Sequence, residues 1–484
     1  MQSSIMTASS KTSPERPHIA RSSGDSVTER LLTVCAMPVA EPDLRRASLL
    51  LMDWCGIALA AAGENAAPWA REWVARSGSA GTCLGIGVGQ LQPEPAAFVN
   101  GSLGTLLEMD DLHRASILHA GDVVIPAALA AAQFSAAPPG RLLEAILCGY
   151  EVALRIGTAA AEGGYTGWYN TGTCGVFGAA MAAAHAAGLS DEAKRDALGQ
   201  AGMQAAGIWQ CRLEPTDSKA LAAAHAARAG ITAAFMAEHG CRGARHVLEG
   251  PLGFFPLFYP QADPLRVLDA PTDRWKVHDV SFKPWPACRH VHPAVGLAID
   301  MRDNVDLQAI SRMTVRTYAA AIDFCDRVSP QTAHEARFSL QHCVAVALIH
   351  GRLGLADTQA PALGDAALAR LRQCIDLAEE PILTAGFPHR MGARLEIETR
   401  DGTVLADATE HALGDPEVPF DVEGLTQKFH ANLAFAGVAQ TEAAEIIAAL
   451  SELPRTNTLA RLDAALSAAA GSLKNEPRED KKYD

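Results

Sequence analysis

The chain has 484 residues, of which 49% are hydrophobic and 20% charged, and its formal net charge is −14. This length allows large buried cores and predicts two or more domains. The negative charge argues against nucleic-acid binding, which needs a basic surface, but it permits an acidic ligand in a local basic pocket. There is no uninterrupted apolar run of about 18 residues, so the sequence predicts no membrane-spanning helix and no membrane partner.

Residues 1–26 are polar and lack the apolar stretch of a secretory signal, so we interpret them as a disordered tail. Glu15 and Asp25 argue against a transit peptide. The eleven cysteines are scattered and form no C-x-x-C pair. This pattern predicts reduced thiols in a cytoplasmic protein and favours neither a zinc ribbon nor a disulfide framework.

The next part of the chain, residues 27–273, indicates a mainly helical domain, because alanine is abundant and apolar residues recur at helical spacing. The clearest helical segments are residues 44–63, 93–111, 123–135, 140–163, 191–209 and 217–240. Ser190 is a candidate N-cap for the segment that follows it. The Gly- and Ala-rich residues 167–190 are typical of a helix packed closely against its neighbours.

The composition changes near residue 269, where prolines, aromatic residues and basic groups become frequent. Residues 310–320 alternate like a strand, and residues 393–412 predict a hairpin with Asp401 and Gly402 at its turn. Residues 274–413 therefore form a smaller α+β lid in our prediction. Helical patterns resume over 414–470 and return to the first domain, and residues 471–484 form a charged tail.

The stretch LLEMDDLHRASILHAGD contains two aspartates and two histidines, Asp110, Asp111, His113 and His119, just before an apolar helix. Three interpretations are open. The acids could cap the helix. The cluster could bind a metal, although its His-x5-His spacing matches no standard zinc motif. It could instead supply acid/base groups at the mouth of a pocket.

Two further candidates lie in the predicted helical domain. In GWYNTGTCG, Tyr169 is a proton donor or base if neighbouring cations lower its pKa, and the alternative is a plain tight turn. Lys219 lies in the first turn of a predicted helix, where the dipole disfavours a cation. A lysine there is easier to explain if it faces a bound anion, although Asp217 or a surface position would also account for it.

The segment SFKPWPACRHVHP brings Lys283, Arg289, His290 and His292 together in a rigid, proline-rich loop at the predicted domain boundary. Such a loop suits carboxylate ligands, and the alternative is an exposed basic loop. His342 opens a later apolar helix, where a single histidine is more often structural than catalytic. Taken together, these groups suit abstraction of a proton next to a carboxylate.

Five segments in order resemble the MmgE/PrpD family: EMDDLHRASILHAGDVVIPAALA, GYEVALRIG with GWYNTGTCGVFGAA, DSKALAAAHAARAG with VLEGPLGFF, FKPWPACRHVHPA, and ARFSLQHCVAVALIHG. That family includes 2-methylcitrate dehydratase, cis-aconitate decarboxylase and iminodisuccinate epimerase. The resemblance implies a large helical domain made from both ends of the chain and a smaller α+β lid. It also implies a homodimer, no cofactor or iron–sulfur cluster, and a small di- or tricarboxylate substrate bound between the domains.

The resemblance also suggests residue roles, because Lys219 falls on the family's helix-start lysine and Lys283 on its lid-loop lysine. The residues that we predict to be catalytic are Asp110, His113, His119, Tyr169, Lys219 and Lys283. Those that we predict to bind substrate are Asp111, Arg289, His290, His292 and His342. We predict no metal ligand.

The function that these observations predict is a cofactor-independent dehydratase or decarboxylase of a methylcitrate- or aconitate-like acid. Two positions depart from the family pattern: Tyr169 stands where decarboxylases and dehydratases usually have histidine, and His342 where many members have tyrosine. These departures favour two alternatives, an epimerase of a dicarboxylate such as iminodisuccinate or a lyase with another substrate. A non-catalytic carboxylate-binding protein is a further alternative, and a metal-dependent hydrolase is the weakest.

Overall fold

The structure, a computed structural model, describes residues 26–474 except 78–79, 163, 165, 215 and 270–272. It is 59% helical and 9% strand, which confirms the predicted mainly α fold with a smaller α+β region. The two predicted tails lie almost wholly outside the described residues. At their inner ends, Ser26 caps the first helix and the last helix ends at Gly471.

Helices dominate the first half of the described chain. They are α1 Val27–Val34, α2 Glu41–Gly63, α3 Pro68–Ser77, α4 Pro93–Gly104, α5 Gly121–Phe134, α6 Pro139–Ala160, α7 Asn170–Thr173, α8 Gly175–Ala186, α9 Asp191–Gly202, α10 Ser218–Glu238 and α11 Phe254–Phe258. Between α3 and α4 lies a short antiparallel hairpin, β1 Ala80–Gly85 and β2 Gly89–Leu91, which the sequence did not predict. The Ser190 side chain accepts a hydrogen bond from Ala193 N, which confirms it as the N-cap of α9.

Helices α6 and α8 pack at very short range because small residues face each other. A Cβ atom at Gly149 would lie 2.8 Å from Ala182 Cβ, and one at Gly178 would lie 2.5 Å from the Gly149 carbonyl oxygen. Side chains larger than hydrogen would therefore force the two helices apart. This confirms the prediction that the Gly- and Ala-rich segment packs closely.

The second part contains α12 His292–Met301, β3 Ile310–Thr317, α13 Ala319–Cys325, α14 Ala333–Arg337, α15 Leu340–His350, α16 Ala360–Leu363, α17 Ala366–Arg372, β4 Ile375–Glu379, α18 Pro381–Gly386, β5 Ala393–Thr399 and β6 Val404–Thr409. Its sheet has the order β4-β3-β5-β6, with β3 parallel to β4 and the other pairs antiparallel. The predicted hairpin is confirmed: β5 and β6 are joined at Asp401 and Gly402, whose φ of 85° suits glycine.

The chain ends in α19 Val422–Phe435, α20 Gln440–Glu452 and α21 Ala460–Gly471. These helices share one hydrophobic core with the first half of the chain: Phe429 and Leu466 belong to the same cluster as Leu51 and Val124. A separate core holds α12, α15 and the larger sheet, with Val295, Val344 and Leu395 among its members. Residues from both ends of the chain thus build the helical part.

Two helices, α2 and α10, are long and apolar enough to cross a membrane by length and composition alone. In the most apolar 18-residue segment of each helix, 83% of α2 and 61% of α10 is buried inside the protein. A core helix passes the same test, so these two helices are weak evidence for a membrane span.

Candidate active site

A cavity of about 490 Å³ lies where the helical part meets the lid. Its wall includes five cationic, four anionic and three histidine side chains: Lys219, Lys283, Arg212, Arg289, Arg327, Glu108, Glu214, Asp323, Glu335, His119, His290 and His334. The volume is in the range of small-molecule sites. The protein is acidic overall, but this cavity is not.

The loop between α4 and α5 forms one wall, and two of its residues have left-handed backbone. Glu108 has φ 53° and Ile117 has φ 49°, and both line the cavity. Leu112 pairs with Ser281 through hydrogen bonds of 3.0 and 2.7 Å, which ties the loop to the segment that enters the lid. Left-handed non-glycine residues are strained and concentrate at functional sites, so the loop is held in a costly conformation beside the cavity.

An ion network joins Glu108 and Asp110 of this loop to Lys219 and Lys283. The ammonium of Lys219 donates to Glu108, and Lys283 Nζ lies 3.0 Å from Asp110 Oδ1 and 3.5 Å from Glu108 Oε2. Burial alone would raise the pKa of the Asp110 carboxyl, but His119, Lys283 and Lys219 hold it well below its usual range. Burial would likewise lower the pKa of Lys219, but Glu108 and its neighbours hold it well above normal. All four network groups are therefore charged at neutral pH.

His119 is oriented by the residues behind it. Its Nδ1 lies 2.8 Å from the Asp111 carbonyl oxygen and 2.7 Å from Asp110 Oδ2. Nδ1 donates to the Asp111 carbonyl and lies in ion-pair contact with Asp110, so a proton is assigned to that nitrogen. His119 also lines the cavity, so the ring is arranged as a base whose orientation a carboxylate fixes.

Tyr169 is the N-cap residue of α7 and lines the cavity. Its ring stacks on Trp209 with centroids 4.4 Å apart, and its backbone N–H donates to the Gly207 carbonyl at 2.8 Å. Its hydroxyl has no hydrogen-bond partner among the described residues. Burial raises its pKa, although Lys219 opposes the rise, so the phenol is neutral and offers a proton.

The lid side supplies Arg289 and His290, which follow Lys283 in the proline-rich segment. Arg289 Nη2 lies 2.5 Å from Asp415 Oδ1, while its Nε and Nη1 have no hydrogen-bond partner among the described residues. His290 Nδ1 lies 2.6 Å from the Tyr318 hydroxyl, and burial lowers the pKa of His290 to about 3. His290 is therefore a neutral group at the cavity, whereas Arg289 is a cation.

Three predicted residues of the acidic and histidine-rich stretch do not line the cavity: Asp110, which lies in the ion network behind His119, and Asp111 and His113. Asp111 accepts hydrogen bonds from Gly121 N, the first residue of α5, at 3.0 Å and from the Tyr150 hydroxyl at 2.8 Å. Burial raises its pKa to about 6. His113 is buried with its Nδ1 2.8 Å from Ser116 Oγ. Asp111 thus accepts a hydrogen bond from the first residue of α5, as a helix cap does. His113 is a buried residue that contacts another residue of its own loop, Ser116.

Two of the histidines predicted to bind substrate are also remote from the cavity wall. His292 contacts the Ala287 carbonyl through Nε2 at 3.0 Å and packs on Trp285. His342 contacts the Asp357 carbonyl through Nε2 at 2.8 Å and Arg372 through Nδ1 at 3.1 Å. Burial lowers the pKa of both histidines. Their contacts are those of core side chains.

In the described part of the chain, one trio of possible metal ligands has its donor atoms within 4.8 Å of one another: His411, Asp415 and Glu417. Arg114 Nη2 lies 2.7 Å from Glu417, and Arg289 lies 2.5 Å from Asp415. These guanidinium groups already neutralise the two carboxylates, so the trio fits a cation poorly.

Comparison with known families covers most of the chain. The model of the MmgE/PrpD N-terminal domain matches residues 34–266, and that of the MmgE/PrpD C-terminal domain matches residues 285–453. The chain belongs to the MmgE/PrpD family. The predicted resemblance is therefore confirmed.

Several relatives of this MmgE/PrpD protein have named activities. It is 26% identical over 422 residues to a cis-aconitate decarboxylase of Aspergillus terreus, with 80% of this chain and 84% of the relative covered. It is 28% identical over 359 residues to the human cis-aconitate decarboxylase, with 71% and 73% covered. It is 28% identical over 230 residues to the 2-methylcitrate dehydratase of Escherichia coli (strain K12), with 45% and 47% covered. The similarity supports a lyase of this family.

Sequence reasoning on this MmgE/PrpD chain missed several cavity residues, above all Glu108 and His334. Glu108 lies inside the stretch LLEMDDLHRASILHAGD, and His334 lies two positions before the stretch ARFSLQHCVAVALIHG. Glu108 was overlooked because a single glutamate in a predicted helix looks like a surface charge. Its position between two lysines depends on contacts across more than 100 residues, to Lys219 and Lys283, which the local sequence does not show.

Proposed function

We propose that the protein is a lyase of the MmgE/PrpD family that removes a proton next to a carboxylate of a small di- or tricarboxylic acid. The observation that carries this proposal is the His119 ring, with Nδ1 held by Asp110 and the Asp111 carbonyl and Nε2 left for the cavity. An imidazole whose Nδ1 is held in place in this way is suited to acid–base catalysis at its other nitrogen. The lyase activities of the relatives support the same reaction class.

The charges of the cavity support a polycarboxylate substrate. Arg289 has two guanidinium nitrogens without hydrogen-bond partners, and such donors match a carboxylate in a bidentate contact. Lys219 and Lys283, which pair with Glu108 and Asp110, add positive charge to the cavity wall. These cations stabilise the negative charge that develops on the substrate carboxylate when the neighbouring proton leaves.

The proposed chemistry needs only side-chain acids and bases. In a dehydration, His119 Nε2 takes the proton next to the carboxylate, the C–O bond to the leaving hydroxyl breaks, and the Tyr169 hydroxyl gives the proton that makes water. In a decarboxylation, the C–C bond to one carboxylate breaks, carbon dioxide leaves, and a protonated side chain returns a proton to the carbanion. The dehydration uses both a base and an acid, whereas the decarboxylation uses only a proton donor, a role that Tyr169 can fill.

Tyr169 also favours a second candidate, an epimerase. His119 and Tyr169 reach the cavity from different segments, the loop before α5 and the start of α7. Two acid/base groups that contact one carbon from separate sides can invert it, because one removes a proton and the other returns it. Exchange with solvent without loss of water or carbon dioxide identifies this reaction.

The test is an NMR screen in deuterated water with citrate, 2-methylcitrate, the aconitate isomers and iminodisuccinate. A lyase gives loss of water or carbon dioxide from at least one acid, and an epimerase gives deuterium incorporation with inversion. His119→Asn is expected to lower kcat by about 10²- to 10⁴-fold. The matched control is His239→Asn, because His239 is exposed beyond the end of α10 and contacts its own helix.

The remaining outcomes also decide between hypotheses. If no acid in the panel reacts or exchanges, the proposed lyase is contradicted for this substrate class. If a carboxylate binds but His119→Ala and Lys219→Ala change nothing, the protein is a carboxylate-binding member of the fold. The homodimer and the cytoplasmic location are further proposals, and light scattering of the purified chain tests the first of them.

A further inference from the structure

A second reactive arrangement lies away from the cavity, at the end of α1. Cys35 is the C-cap residue of α1, and Cys148 lies in the middle of α6. The Cys148 thiol approaches the Cys35 carbonyl at 3.6 Å, and the Cys35 thiol approaches the Cys148 carbonyl at 4.0 Å. The two side chains therefore face each other across the helix contact, although 113 positions separate them in the sequence.

A histidine and a glutamate extend this pair. His185 Nδ1 lies 3.6 Å from Cys148 Sγ, and His185 Nε2 lies 3.4 Å from Glu144 Oε2. His185 is in the last turn of α8, where the helix dipole favours a cation. The helix end and the Glu144 carboxylate both stabilise the imidazolium, and an imidazolium beside sulfur stabilises the thiolate.

The groups around Cys148 also stabilise its thiolate. A hydrogen bond from the Cys35 thiol, together with His185 and Lys194, lowers the pKa of Cys148, although burial opposes them. The pKa of its partner Cys35 is raised well above normal, because Cys35 remains the hydrogen-bond donor. Burial alone acts the other way, as at Cys174, where it raises the pKa to about 12; Cys288, which has a hydrogen bond with Cys325, also has a lowered pKa.

We propose that Cys35 and Cys148 are a thiol–disulfide couple that a hydroperoxide oxidises, with Cys148 as the attacking thiol and His185 as its activating group. The Cys148 thiolate attacks one peroxide oxygen, the O–O bond breaks, and the leaving hydroxide takes a proton from the His185 imidazolium. The Cys35 sulfur then attacks the Cys148 sulfenic acid. The S–O bond breaks, the Cys35 proton leaves with the hydroxide as water, and a disulfide remains.

The half-buried position of Cys35 suits the role of resolving thiol. Cys148 itself is buried, so its sulfenic acid is shielded from bulk thiols and meets Cys35 first. Eleven reduced cysteines are described, and the exposed Cys241 provides an internal comparison of simple accessibility. The proposal predicts that Cys148, which His185 activates, is oxidised before the more accessible Cys241.

The experiment treats the full-length reduced protein with one equivalent of hydrogen peroxide and maps the products by mass spectrometry. The expected product is a Cys35–Cys148 disulfide that forms before oxidation of Cys241. In Cys35→Ser, a sulfenic or sulfinic acid accumulates on Cys148 and is detected by its mass, and in Cys148→Ser Cys35 is not oxidised. Cys241→Ser is the matched control and leaves the 35–148 disulfide unchanged.

A second measurement keeps the proposal falsifiable if a serine variant folds poorly. In the native protein, the rate at which hydrogen peroxide forms the Cys35–Cys148 disulfide is expected to fall in His185→Gln, because the imidazolium no longer stabilises the Cys148 thiolate. Preferential oxidation of Cys241, or a rate that His185→Gln does not change, would overturn the proposal. Neither readout depends on the lyase reaction, so the two proposals fail separately.

Discussion

His113 offers a quantitative test of the distinction between cavity residues and core residues. It is 4% exposed, its Nδ1 contacts Ser116, and burial lowers its pKa from 6.5 to about 3. The unfolded chain therefore takes up a proton as the pH falls below about 6.5, while the folded chain does not. Because the folded pKa is the lower one, the stability that this residue contributes is present above pH 6.5 and is lost on acidification.

The magnitude follows from the two pKa values. At pH 5 the unfolded histidine is almost fully protonated and the folded one is not, which costs about 2 kcal/mol of unfolding free energy relative to pH 7.5. At pH 4 the cost rises to about 3 kcal/mol. An asparagine at this position has no titrating group and can still hydrogen-bond Ser116. His113→Asn should therefore be less stable than the wild type at pH 7.5, because it is smaller, but should lose about 2 kcal/mol less between pH 7.5 and pH 5.

Urea unfolding at pH 7.5, 6 and 5, followed by circular dichroism, measures this difference. The control is His239→Asn, whose exposed ring should leave the pH dependence as in the wild type. If His113→Asn loses as much stability on acidification as the wild type, His113 does not titrate as a buried core residue. If turnover falls in the variant while stability keeps its pH dependence, the loop histidine acts in catalysis and the reasoning is refuted.

Three further predictions concern the network around the cavity. Tyr169→Phe keeps the stack on Trp209, so unfolding should change by less than about 0.5 kcal/mol while steady-state assays show kcat lowered by about 10²-fold or more. Lys283→Met removes one of the two cationic partners of the buried Asp110 carboxylate and leaves His119, so it should cost up to about 3–5 kcal/mol in urea unfolding, part of which the double variant with Asp110→Asn should restore. Asp111 has a pKa near 6 in the folded protein against 3.8 in the unfolded chain. Its contribution to the free energy of unfolding is therefore present at low pH, and about 3 kcal/mol of it is lost as the pH rises from about 4 to 6. In thermal scans, Asp111→Asn should flatten this part of the pH profile of stability.

Local sequence patterns predicted the parts of the fold that local interactions build. Asp401 and Gly402 gave the β5–β6 turn, because a left-handed glycine is required there. Ser190 gave the start of α9 through its own side-chain hydrogen bond. The β1–β2 hairpin was missed because residues 80–91 are rich in glycine and do not alternate regularly between polar and apolar.

The site could be predicted only in part, because its geometry depends on distant contacts. The unfavourable helix-start position of Lys219 indicated a nearby anion, and in the structure that anion is Glu108 of the protein itself. His113 and His119 have the same residue type and lie six positions apart, yet only His119 lines the cavity. A one-turn 3-10 helix, Arg114–Ser116, lies between them and places the two rings in different environments. The sequence alone does not show this turn.

The meeting of two cores at one cavity has a consequence for the lifetime of the protein. Lys219 comes from the helical core, and Arg289 precedes α12 of the lid core, so a ligand that contacts both adds its binding free energy to the attachment of the lid. At a free concentration of about 100 times Kd, this linkage adds about 2.7 kcal/mol. Partial opening of the lid, the step that exposes chain to proteases, is then suppressed about a hundredfold. A cell that accumulates the substrate would thereby slow the turnover of the protein that consumes it.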